Sequence, residues 1–137
     1  MEKNSLQVYT IDYLSAGLSV IPVNKTGKKP LLPGWKEYQR SLSSIADASA
    51  WFQKIRADLG IALICGRGSR NLEIIDFDSQ GVLFKSWKQL VEFEAPGLLN
   101  RVVIEKSQSG RFHILYRCTD IQIPGNRKLA ALCIPTL

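Results

Sequence analysis

The chain has 137 residues, 45% of them hydrophobic and 22% charged, enough apolar material for the core of one domain, 1–137, or part of one. Lysine and arginine total 18 against 12 acidic residues, and the net charge of +6 suits a polyanionic partner without identifying it. The widely separated Cys65, Cys118 and Cys133 and the single histidine, His113, lack zinc-site spacing. No apolar run is long enough for a bilayer, and Met1-Glu2-Lys3-Asn4 does not open a signal peptide. The expectation is a cytoplasmic protein with reduced, buried thiols and no membrane partner.

Leu6, Tyr9, Tyr13 and Leu14 recur at helical spacing, and Gly17 supplies the stop. A strand is expected over 18–23, then a loop over 24–35 that carries Lys25, Lys28 and Lys29. That loop is either a contact for nucleic-acid phosphates or a solvated loop. Ser44 is placed to cap a second helix, with Asp47 three residues on and Ile45, Ala48, Trp51, Phe52 and Ile55 as its apolar stripe. A second strand over 59–65 closes on Gly66-Arg67-Gly68-Ser69, which lacks the spacing and lysine of a P-loop. Arg67 remains a candidate for facing nucleic acid. The next strand comes so soon that the two are expected to form an antiparallel hairpin.

That next strand carries the chemistry. The β-branched, apolar Leu72-Glu73-Ile74-Ile75 runs into Asp76-Phe77-Asp78. Side chains two apart on a strand share a face, so Asp76 and Asp78 aim at one spot while Phe77 points away. Two adjacent carboxylates repel and require a cation or a proton. A hard divalent ion, Mg²⁺ or Mn²⁺, is the natural partner for oxygen ligands. The plainer reading is that the second Asp only caps the next helix.

A third helix is expected over 82–94, with Leu83, Phe84, Trp87, Leu90 and Val91 as its stripe. Alternating strands come next over 101–106 and 112–118, joined by Ser107-Gln108-Ser109-Gly110. If the second group is extended, Ser109, Arg111 and His113 share a face and together offer a hydroxyl, a guanidinium and an imidazole to phosphate oxygens. A lone structural histidine after a routine turn is the plainer alternative. The element order predicts an α+β fold with a mainly antiparallel sheet flanked by helices, and an irregular tail over 121–137.

With these segments in this order, the chain resembles the bifunctional primase-polymerase (prim-pol) domain of the archaeo-eukaryotic primase superfamily, often found in phages and other mobile elements. The resemblance rests on Gly27-Lys28-Lys29-Pro30, Gly34-Trp35, the strand-glycine segment 59–66, Ile75-Asp76-Phe77-Asp78 and Ser109-Gly110-Arg111-Phe112-His113. It implies DNA primase and polymerase chemistry, a nucleotidyl transfer from nucleoside triphosphates on a DNA template, with a helicase domain or protein as a further partner. Asp76 and Asp78 would hold the divalent ions, and Ser109 and His113 would contact the triphosphate. Arg111 would add a phosphate contact. The family also carries a third acidic residue on a later strand, and Asp120, seven residues after His113, is too close to supply it. The resemblance thus implies either the N-terminal part of a larger primase, truncated at the C-terminus, or a catalytically incomplete binding remnant. Asp76-Phe77-Asp78-Ser79 also resembles the opening of haloacid-dehalogenase phosphatases, with Asp76 as nucleophile and Asp78 as general acid. That family needs a parallel sheet, a downstream lysine and an acidic pair.

Overall fold

The computed structural model describes residues 2–107, 109–123, 125–127 and 129, with Ser79 by its backbone alone. Cys133 and most of the expected tail lie outside the described residues; none of those described beyond Arg117 belongs to a helix or strand.

Helix α1 spans Ser5–Ser15. Asn4 and Gln7 start it with a reciprocal capping box, Gln7 N–H donating to Asn4 Oδ1 at 2.9 Å and Asn4 N–H to Gln7 Oε1 at 3.0 Å. Thr10 and Leu14, four residues apart, are its buried positions. Tyr9 and Tyr13, expected on the inner stripe, are exposed. Strand β1 (Ser19–Asn24) comes next, then α2 (Ile45–Trp51), whose Ser44 cap accepts from Asp47 N–H as expected. The helix ends at Trp51, so Ile55 leaves the stripe and is exposed.

Strand β2 (Leu59–Ile64) pairs antiparallel with β1 over its whole length, Ser19 opposite Ile64 and Asn24 opposite Leu59. This two-stranded sheet is covered on both faces. Val20 on one side packs with Leu14, Ala48, Trp51, Ile61 and Leu63. Ile21, Val23 and Ile64 on the other pack with Leu32, Trp35 and Tyr38. Trp35 thus anchors its loop on the core.

The expected hairpin between the second and third strands does not form. Strand β3 (Leu72–Phe77) instead joins a separate sheet of order β3-β5-β4, in which β5 (Phe112–Arg117) pairs antiparallel with β3 and with β4 (Val103–Lys106). The connection is the cause. After β2 the chain makes a short helical turn at Arg67–Ser69, and Arg70 and Asn71 then adopt successive left-handed conformations. Buried Ser69 holds this corner: its hydroxyl donates to Ile64 O and accepts from Ser19 N–H at 2.8 Å. Arg117, at the far end of β5, donates to Ser69 O at 3.2 Å and to Ala16 O at 2.9 Å, which ties the two sheets at that corner.

Helix α3 (Phe84–Glu94) lies on one face of the three-stranded sheet. Phe77 meets Phe84 and Trp87 at centroid distances of 5.5 and 5.2 Å, and Phe84 stacks on Phe112 at 3.9 Å. Phe84, Trp87 and Val91 are half-buried there. Leu83, the residue before the helix, and Leu90, expected on the same stripe, are exposed because they sit about a quarter turn off the face of Phe84, Trp87 and Val91. Cys65 is exposed and Cys118 half-buried, contrary to the expectation of buried thiols; both are free. No helix among the described residues is long and apolar enough to cross a membrane.

Candidate active site

The face of the three-stranded sheet opposite α3 carries the acid pair. Phe77 alternates inward against α3 and is buried, so Asp76 turns to the other face, with Asp78 just past the strand end. Asp76 and His113 are direct cross-strand partners. Nε2 of His113 lies 3.2 Å from Oδ1 of Asp76. Beyond the last strand pair the pattern continues, and Arg111 Nη1 lies 3.7 Å from Asp78 Oδ1. Two acids and two cationic or hydrogen-bonding groups therefore meet in adjacent rows. Their side chains stay 34% to 65% exposed, so this is an open site.

Ser109 does not extend this face as parity predicts. Gly110 has φ +85°, and the strand begins only at Phe112. Ser109 therefore sits in the turn, its hydroxyl 3.0 Å from that of Ser107. That turn leans on the segment after the acid pair. Gly81 has φ +70°, and a Cβ there would fall 2.6 Å from the Phe112 ring and 2.9 Å from Gly110 O. Only glycine lets the two loops touch.

The basic candidates divide. Lys25, Lys28 and Lys29 are exposed on the loop after β1, where Asn24 Oδ1 accepts from Thr26 and Gly27 N–H groups and Lys25 N–H donates to Asp58 O just before β2. Exposed Arg67 lies past the opposite end of β2, about 16 Å away at strand rise. The four do not form one patch. Arg67 also lies at the corner between sheets, whereas Asp76 is four residues past Leu72, where β3 leaves that corner, about 13 Å along the strand.

Sequence reasoning misses Glu105. It is the β4 partner of His113, and its Oε1 lies 3.4 Å from His113 Nδ1. A signal exists: Glu105 and His113 are equidistant from Ser109, the midpoint between the expected strands 101–106 and 112–118.

Carboxylate oxygens are the donors that Mg²⁺ and Mn²⁺ prefer, and the half-open acid pair fits such a hard cation. Among the described residues no three His, Cys, Asp or Glu side chains are grouped so as to hold a metal ion. The pair would thus supply two protein ligands and leave the remaining positions to water and substrate oxygens, as Mg²⁺ favours. A phosphatase of the haloacid-dehalogenase type needs a parallel sheet behind its acids; every strand pair among the described residues is antiparallel.

An α+β domain of antiparallel sheets, with a strand-end Asp-x-Asp facing a histidine across the strand, defines a class that the family comparison makes specific. The chain belongs to the family described as bifunctional DNA primase/polymerase, N-terminal, whose model matches residues 10–134. Membership implies a primase- or polymerase-type function and binding of nucleotide and DNA. No curated protein matches the chain.

Proposed function

We propose that this domain is a divalent-cation-dependent nucleotidyltransferase that joins nucleotides on a DNA template. The observation that carries the reading is the cross-strand pairing of Asp76 with His113, with Arg111 beside Asp78. Asp76 and Asp78 hold Mg²⁺ or Mn²⁺. His113 and Arg111 take triphosphate oxygens, Arg111 as a charged fork, and exposed Ser109 offers its hydroxyl from the turn. A bound divalent ion neutralises phosphate charge and aligns attacking and leaving oxygens. The protein's own part is placement: a rigid antiparallel ladder fixes the spacing of acids and phosphate ligands before substrate arrives.

Lys25, Lys28 and Lys29, and separately Arg67, are proposed as DNA phosphate contacts. Each lysine replaced by Ala lowers the salt slope of DNA binding by about one. The test of the central reading is nucleotide binding with and without Mn²⁺. Asp76→Ala with Asp78→Ala removes the metal-dependent part; tight binding that survives the double substitution defeats the proposal.

One observation favours a second reading. Only two acids of the expected three are in place among the described residues, which fits a nucleotide- or nucleic-acid-binding domain without turnover. A primer-synthesis assay separates the readings, since the second predicts Mn²⁺-dependent nucleotide binding with no product.

A further inference from the structure

The middle row of the three-stranded sheet reads Asp76, His113, Glu105 across β3, β5 and β4. Both ring nitrogens of His113 face a carboxylate, Nε2 towards Asp76 at 3.2 Å and Nδ1 towards Glu105 at 3.4 Å. We propose that Glu105 is a positioning residue: it accepts a hydrogen bond from His113 Nδ1–H and holds the imidazole with its Nε2 edge towards the acid pair. This role rests on, and deepens, the nucleotidyltransferase reading of the same site.

An imidazole on an open strand face can turn over about its Cβ–Cγ bond, which exchanges the nitrogen for a carbon at the edge facing Asp76. His113 is only half-buried, so packing alone does not prevent this. A carboxylate can only accept, so a hydrogen bond at Glu105 requires Nδ1–H, as one at Asp76 requires Nε2–H, and the two bonds select the same ring orientation. The register makes the pair recur at each folding event, because Glu105 and His113 are fixed opposite each other by the β4–β5 ladder. Outer partners that orient a functional histidine through its second nitrogen are a general device.

Being the only histidine, His113 gives an unambiguous nitrogen spectrum. The experiment is a long-range proton–nitrogen correlation on the whole chain without metal, for wild type, Glu105→Gln and Glu105→Ala. Glu105 is an exposed strand residue, and both variants are expected to fold. The Nδ1 resonance should move by several parts per million in Glu105→Ala and stay near its wild-type position in Glu105→Gln, whose side-chain carbonyl still accepts. An unmoved resonance in Glu105→Ala overturns the proposal. A second measurement reads inorganic triphosphate and Mn²⁺ alone. Glu105→Ala should weaken triphosphate binding about ten-fold and leave Mn²⁺ affinity unchanged. If Mn²⁺ affinity falls as far as in Asp76→Ala, Glu105 is a cation ligand and the positioning role is wrong. If wild type binds neither probe, the nucleotidyltransferase reading fails, while the ring spectrum still decides the role of Glu105.

Discussion

The two sheets of this domain are built on opposite plans. In the β1–β2 sheet, residues 19–23 of β1 are all buried, and helices cover one face while the 35–39 turn covers the other. In the β3-β5-β4 sheet one face is covered by α3, and β4 is exposed at every position. A doubly covered sheet excludes unpaired charge, whose burial costs far more than one ladder bond returns, and its one fully buried polar side chain on β1, Ser19, donates to Tyr38 O at 2.7 Å. The half-covered sheet can carry a row of Asp, His and Glu because water still solvates each of them. Stability is therefore concentrated in one sheet and ligand chemistry in the other, and substitutions in the two should separate these properties.

The largest stability effect belongs to the first sheet and its helices. Phe52 is fully buried beside α2, and Phe52→Ala should cost about 3–5 kcal/mol by denaturant titration, the range for a large aromatic truncated in a packed core. By contrast, Asp76→Ala should change stability by no more than about 0.5 kcal/mol, as for surface substitutions generally. Comparable losses from both would erase the division between the sheets.

Next comes the corner that separates them. Ser69→Ala removes the partner of two buried backbone groups, Ser19 N–H and Ile64 O, and should cost about 2 kcal/mol. Ser69→Thr restores the hydroxyl but adds a methyl at a fully buried position, so it should recover only part of that loss. A neutral Ser69→Ala would mean that the corner is held by something other than this hydroxyl.

This corner also explains where sequence reading succeeds and where it stops. All five strands and three helices among the described residues are legible, because apolar alternation and caps such as Ser44 act locally. That the strand of the acids and the strand of His113 can neighbour each other in one sheet is legible too, since a helix and one strand fit between them; that Asp76 is the residue opposite His113 is not. The pairing of β2 with β1 is not. Gly66-Arg67-Gly68-Ser69 reads as a tight hairpin, but its direction depends on Ser69 finding Ser19, 50 residues away in sequence. Ser109 is misplaced for a related reason: period-two counting assumes an extended chain, and Gly110 at φ +85° breaks the count before Arg111. Arg111 and His113 stay in phase with the strand, and parity places them correctly.

A smaller effect is expected at Gly81, where the loop after the acid pair touches the Gly110 turn. Gly81→Ala forces a side chain into a left-handed conformation and against Phe112, at a cost of about 1–2 kcal/mol. Its consequence should be sharper for the site than for the fold. The Arg111–Asp78 approach depends on these two loops, so nucleotide affinity should fall further than stability alone explains. Equal tightness of nucleotide binding in the folded fraction would uncouple the loops from the site.

The smallest stability change and the most informative sign belong to Arg111. Its contact with Asp78 is 3.7 Å long between largely exposed groups, and such pairs contribute between nothing and about 1 kcal/mol. Arg111→Ala should therefore leave the melting transition nearly in place. Its two binding effects should have opposite signs. A fixed positive charge beside Asp78 repels an incoming divalent cation by about 2 kcal/mol at 4 Å in water, a factor of about thirty. Removing it should tighten Mn²⁺ binding by about that factor. The same substitution deletes a proposed phosphate ligand, so triphosphate binding should weaken several-fold. Calorimetric titration of Arg111→Ala with Mn²⁺ alone and with triphosphate alone reads the two signs separately. If both affinities fall, Arg111 is not a counter-charge at Asp78; if both rise, it is not a phosphate ligand, and the open face loses one of the four groups on which the functional reading depends.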